Sequence, residues 1–127
     1  MKYDQLIQPR EVKIGSHIFA VSKIPATKAM PIYNVVSERV VSAGIVGVSQ
    51  LPEATNKAIL QYVAWKEEGG EVWNTLEYDL AINNCFLDYR DLVAVISEMV
   101  KENFGFLLDG GLLDALGVGR QAAASVS

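Results

Sequence analysis

The stretch DYRDLVAVISEMVKENF, residues 88–104, decides the fold class. Tyr89, Leu92, Val93, Ile96, Met99, Val100 and Phe104 recur at helical intervals, so an α-helix gathers all seven on one face. Asp88 stands where an N-cap accepts from the free N–H groups of a first turn. Asp91 favours the positive end of the helix dipole, and Lys101 the negative end. Each such side chain contributes ~1.5–3 kcal/mol when fully buried, so the seven can anchor a small core. The spacing predicts a helix over residues 88–103.

Outward from this helix, the N-terminal side reads as a β-hairpin over residues 11–21. Two alternating runs, 11–14 and 17–21, flank Gly15-Ser16, and glycine at the first turn position suits a type II′ turn. Val12 and Ile14 share one face, opposite Phe19 and Val21. A lone hairpin is marginal in water, so it must pack on helices. Ser22 to Pro25 reads as a helix start, with Ser22 as the cap and Ala26, Ala29, Met30, Tyr33, Val36 and Val40 at helical spacing. Pro31 removes a hydrogen bond and predicts a break there.

Residues 42–50, with Gly44 and Gly47, read as a loop, and a new helix starts near residue 51 with Ser49 or Gln50 near the cap. Its stripe is Ala54, Ala58, Ile59, Tyr62, Val63 and Trp65, and Gly69-Gly70 supplies its C-cap. Asn74-Thr75 caps a further helix with Glu77 in its first turn. That helix carries Leu76, Leu80 and Asn83 on one side and Tyr78, Ala81, Ile82 and Cys85 on the other, and reads as largely buried. The expected fold is mainly α within the α+β class, with four to five helices and a short N-terminal hairpin. One domain spans residues 1–110. Residues 112–116 make at most a helical turn, and 111–127 form a flexible tail.

Composition narrows the function classes. The chain has 127 residues, 11 basic and 15 acidic, for a net charge of −4, and half of it is apolar. That is too apolar for a disordered protein, and it lacks the clustered lysine and arginine that nucleic acid demands. One cysteine excludes an internal disulfide, and one histidine excludes any two-histidine metal site. No apolar run approaches the ~20 residues that span a bilayer, and residues 1–10 lack a leader's apolar run. The expectation is a cytosolic protein without membrane contact or cofactor.

Local motifs for chemistry are weak. Gly117-Val118-Gly119-Arg120-Gln121-Ala122 matches a dinucleotide fingerprint, but the strand and acidic residue that the fingerprint needs do not accompany it. Glu67, Glu68, Glu71, Glu77 and Asp79 lack calcium-loop spacing and read as a solvated turn. His17 reads as a surface histidine and Cys85 as a small buried hydrophobe. A nucleophile reading of Cys85 requires His17 beside it. No G-x-S-x-G elbow or P-loop is present. Aromatics along the helices are flanked by acids and read as core rather than as base-stacking platforms. Two charge-poor stretches, 35–48 and 104–116, exceed what a core pattern demands. They are the candidates for self-association or capture of a partner helix, with Val35, Val36, Val40, Phe104, Phe106, Leu107 and Leu112 as partner-binding residues.

Several segments resemble the phage tail assembly chaperones. FAVSKIPA at 19–26 is similar to their opening signature, in which a short strand leads through K-I-P-A into a helix. LPEATNKAILQYVA at 51–64 is similar to their helix ending in Y-V-A. Residues 76–84, DYRDL at 88–92 and MVKENFGF at 99–106 resemble their later L-x-T…N…D-x-x-x-L and M-x-x-x-N-x-x-F-F segments. The likeness runs through about residues 18–110. The stretch at 42–50, Pro31 and the turn at 66–73 depart from it. The resemblance implies a small, mostly helical, non-enzymatic protein that binds the tape measure protein before the tail tube polymerises. It also implies action in the bacterial host cytosol, absence from the mature virion and, in many members, a longer frameshifted form. The alternatives are a structural virion protein, such as a head–tail connector or tail completion subunit, and a small enzyme using Cys85 and His17.

Overall fold

The computed structural model of the protein describes residues 9–108. Strands β1 (Arg10–Ile14) and β2 (His17–Val21) form the expected hairpin, with Val12 opposite Phe19 and Ile14 opposite His17. Gly15 has a positive φ of 62°, and among the described residues no non-glycine residue does, so Ser16 keeps a negative φ. That combination is the type II′ signature, because a type I′ turn needs both central residues left-handed. The chain continues through α1 (Ala26–Ala43), a 3₁₀ turn (Gly44–Gln50), α2 (Glu53–Leu60), β3 (Ala64–Glu67), β4 (Asn74–Thr75), α3 (Asp79–Cys85) and α4 (Tyr89–Leu108). The class is α+β and mainly helical, with four α-helices among the described residues and one antiparallel sheet in the order β1-β2-β3-β4. None of the helices among the described residues is long and apolar enough to cross a membrane.

The last helix matches its sequence pattern at the start and shifts along its length. The Asp88 carboxylate accepts from the Arg90 N–H at 2.9 Å, which is the expected cap. Val95, Ile96, Met99, Val100, Phe104 and Leu107 form the buried stripe. Tyr89 lies outside it, 63% exposed, and Val95 takes a place that the periodicity did not assign. The stripe packs against β2, α1, α2 and the 3₁₀ turn.

Several other expectations need correction. The helix over 26–43 runs unbroken through Pro31. Proline deletes the bond to the carbonyl four residues back and crowds that carbonyl, at a cost of ~3 kcal/mol or more in a mid-helix site. Burial of Ile32, Val36 and Val40 further along the same face offsets that loss, at ~1.5–3 kcal/mol per side chain. Met30, placed on the core face by the sequence reading, is 65% exposed. The expected Ser22 cap is also absent, because its hydroxyl donates to the Tyr62 carbonyl at 2.9 Å instead. The Pro25 carbonyl receives the first N–H groups, from Lys28 and Ala29.

Residues 44–50 are a 3₁₀ turn folded back on α1, not a loop, with Gly47 and Val48 buried. The helix starting at residue 53 stops at Leu60, and its cap position is Pro52 without a side-chain cap. The following residues form β3, where Trp65 pairs with Phe19 and Lys66 with Ile18. The free edge of β2 offers four pairings there, and a valine–tryptophan segment suits a half-buried strand. Gly69-Gly70 accordingly turns β3 into β4 rather than capping a helix, with Gly69 at φ 82°. Asn74-Thr75 is that short β4, so α3 begins only at Asp79. Leu76 is fully buried ahead of α3. Within and beside that helix, however, Tyr78 and Leu80 are about 70% exposed, at 72% and 71%, so the element is not largely buried.

The closing contacts are long-range. The Asn103 carboxamide accepts from the Ile24 N–H at 2.8 Å and donates to the Ser22 carbonyl at 3.0 Å. Lys23 Nζ donates to the Glu102 carbonyl, and Arg10 pairs with Glu98 and Glu102. The N-terminal hairpin is thereby tied to the end of α4.

Candidate functional site: a groove between two helices

Between α1 and α2 runs an open groove of ≈ 400 Å³. Ile32 forms its buried floor, Pro31 and Val35 one wall, and Ala54, Ala58 and Tyr62 the other. Ala54 and Ala58 sit one turn apart on α2, and their short side chains keep the channel wide. Pro31 helps from the opposite side, since the residue that conflicts with helix propensity presents a smooth ring to the groove. Among the described residues, Lys28 is the one charged residue in the lining. The groove can therefore take a rod with an apolar stripe, most simply an amphipathic helix laid between α1 and α2. An acidic residue at the end of that stripe would meet Lys28.

The structure separates the residues expected to bind a partner. Val36 is 0% exposed, and Val40, Phe104 and Leu107 are all below a tenth exposed, in the core between α1, the 3₁₀ turn and α4. Their burial takes them off the surface of this fold. Their stretches looked like surplus because residues 42–50 read as a loop, whereas the folded 3₁₀ turn gives them neighbours. Val35 stays half-buried and lines the groove. Phe106 is 42% exposed and stacks on Tyr33, with ring centroids 6.1 Å apart. Leu112 lies outside the described residues, as do the tail over 111–127 and the Gly117 motif.

A kink explains why Phe104 and Phe106 both reach Tyr33. Residues two apart on a regular helix point ~200° apart. At Phe104 the backbone leaves helical geometry, with φ −135° and ψ 33°. Phe104 then packs inside against Tyr33 at 5.7 Å while Phe106 covers it from outside. Nothing in the spacing of the sequence indicated the groove itself. Of its lining, Val35 stood among the candidate partner-binding residues, while the small residues Ala54 and Ala58 were assigned by the periodicity to a helix stripe.

The structure does bring His17 and Cys85 together, 68 residues apart in sequence, with Sγ 3.9 Å from Nδ1. His17 Nε2 lies 3.6 Å from Glu67 Oε1, and the imidazole rests 4.4 Å from the Trp65 ring. His17 is thus half-buried between strands rather than a free surface residue. An acid, an imidazole and a thiol in line have the connectivity of a nucleophile relay. The electrostatics oppose that use. Burial pushes the Cys85 thiol up to about 12, and the carboxylates of Asp91 and Glu67 add to the shift. A working nucleophile needs the opposite, a depressed and accessible thiol, and Cys85 is 5% exposed. The contact is better suited to pinning α3 to the hairpin.

The consequence of that thiol is measurable. A folded-state value above the ordinary 9.0 means that the native state holds the proton more tightly. Its contribution to stability is present below pH 9 and is lost as pH rises from there towards 12. At pH 8 the native thiol should react with iodoacetamide about 1000-fold more slowly than in the urea-unfolded chain, following the thiolate fraction. Cys85→Ser should flatten the alkaline loss of stability. Equal labelling rates in the folded and unfolded chain would refute this.

Three of the five acidic residues of the turn have a basic side chain within reach: Glu67 faces His17, Glu68 pairs with Lys13 at 2.7 Å and Asp79 pairs with Lys57 at 3.0 Å. Among the described residues, no group of three or more His, Cys, Asp or Glu side chains is placed to hold a metal ion. No family model, curated protein or solved structure matches this chain.

Proposed function

We propose that the protein is a non-enzymatic phage tail assembly chaperone that holds apolar helical stretches of the tape measure protein until the tail tube forms. The observation that carries this reading is the groove between α1 and α2, open to solvent and lined by Pro31, Ile32, Val35, Ala54, Ala58 and Tyr62. The resemblance of residues 18–110 to the chaperone family supplies the partner. A long helical protein with exposed apolar stripes aggregates when naked, and a groove of this kind covers such a stripe without any chemistry. On this reading the protein acts in the bacterial cytosol and is left behind by the mature virion. Self-association belongs to the same proposal, through Val41 at the end of α1 and Ile45 and Val46 within the 3₁₀ turn, all exposed.

Co-expression with the tape measure protein of the same phage tests it. The expected result is a soluble complex that is lost when Val35 or Ala58 becomes glutamate, since an unpaired charge would be buried. Either substitution should weaken binding by about 100-fold while the far-ultraviolet circular dichroism stays unchanged. A tape measure protein that stays insoluble beside the wild-type chain overturns the reading. Detection of this chain in purified particles by mass spectrometry would favour a structural virion protein instead.

A further inference from the structure

The opposite side of α2 carries a second and larger cavity, of ≈ 510 Å³, closed off by α3 and the start of α4. Its volume lies within the range of sites that hold small ligands or peptide side chains. Leu60, Ile82, Phe86 and Leu92 form its apolar part, and polar side chains including Asn56 and Asn83 form much of the rest. Two observations set it apart from a packing gap. The carboxamide oxygen of Asn56, in the lining, is buried without a hydrogen-bond partner, and native proteins seldom leave such an acceptor unmet. At the mouth, Lys57 bridges one oxygen of Glu53, at 3.3 Å, and one of Asp79, at 3.0 Å. Two carboxylates against one ammonium leave the mouth net negative, and both carboxylates face solvent, at 83% and 71% exposure. Leu87, 92% exposed, stands at the rim.

We propose that this cavity is a peptide-binding site, which takes an apolar side chain flanked by lysine or arginine from a partner protein. The apolar side chain fills the space over Leu60 and Ile82 and covers Leu87. The neighbouring cation takes the free oxygens of Glu53 and Asp79 through charge-assisted hydrogen bonds. A backbone N–H of the same segment meets the Asn56 oxygen after a turn about one side-chain bond. The site is independent of the α1/α2 groove, because it uses the other face of α2 and requires basic rather than acidic flanks. Charge complementarity of this kind selects among partners.

The test is a titration of the full-length, ¹⁵N-labelled protein with two acetylated and amidated peptides, Lys-Phe-Leu-Lys and Glu-Phe-Leu-Glu. The lysine peptide should give saturating shifts centred on the amides of Asn56, Leu60, Asn83 and Phe86. The glutamate peptide should bind at least about tenfold more weakly. Asn83 is exposed at the mouth, so Asn83→Trp blocks the cavity without entering the core and should abolish the shifts. Asp79→Lys should reverse the preference between the two peptides. Val35→Glu should leave both titrations unchanged, which separates this site from the groove. Absence of shifts at millimolar peptide, equal affinity for the two peptides, or binding that survives Asn83→Trp would each overturn the proposal.

Discussion

Replacement of Gly47 by alanine is expected to destabilise the protein by ~3 kcal/mol or more, the upper end of overpacking. A Cβ built on Gly47 would lie 2.2 Å from the carbonyl oxygen of Arg39 and 2.5 Å from its carbon. Those are backbone atoms of α1, so no side chain can swing away to make room. Either the 3₁₀ turn lifts off the helix, which uncovers Val40 and Val48, or the helix deforms and loses part of its hydrogen-bond ladder. In thermal terms the expected loss is on the order of 10–20 °C for a domain of this size. Urea denaturation of Gly47→Ala beside Gly105→Ala provides the comparison. At Gly105 an added Cβ meets nothing within 4 Å, so that change should be neutral or stabilise by up to ~1 kcal/mol. Equal midpoints for the two variants would refute the close approach.

The second large effect is expected from Phe19→Ala, a loss of ~3–5 kcal/mol. Phe19 is 1% exposed at the centre of the sheet. It pairs with Val12 on one side and Trp65 on the other, and its ring stacks on Phe86 with centroids 5.5 Å apart and planes 2° from parallel. Its removal opens a cavity bordered by both hairpin strands and the segment after α3. Tyr89→Ala is the informative partner experiment. The periodicity of residues 88–104 places Tyr89 with the core, whereas its exposure predicts a cost below ~0.5 kcal/mol. A large loss from Tyr89→Ala with a small one from Phe19→Ala would mean that α4 is rotated from the face described here.

What could be read from the sequence was local in origin. The Gly15-Ser16 turn and the Asp88 cap each depend on a few neighbouring residues, and both formed as their chemistry demanded. Trp65 and Asn74 went astray because the strand partners that decide their conformation lie elsewhere in the chain. A valine–tryptophan segment following a good helix reads as more helix until the open edge of β2 is present to compete. Pro31 shows the same logic in reverse, since one lost hydrogen bond is visible locally and the burial that outweighs it is not. Of the candidate site, Val35 was legible. Val36, Val40, Phe104 and Leu107 were misassigned because an uncharged stretch with two glycines gave no sign that it would fold back as a 3₁₀ turn. The approach of His17 to Cys85 entered only as what a nucleophile would require, because it depends on how α3 docks against the hairpin.

The carboxamide of Asn103 has a consequence for the order in which the chain is completed during synthesis. It holds the backbone at Ser22 and Ile24, and its partner at Ile24 is 79 residues away. At a translation rate of ~5–20 residues per second, the residues following the hairpin wait on the order of 4–16 s for it. For part of that time β2 also lacks β3, so a strand edge carrying Phe19 stays unpaired on the nascent chain. The first half of the protein is therefore committed last. A chain terminated before the last turns of α4 is expected to lack this closure, with its amino-terminal half incompletely folded rather than forming a smaller stable domain.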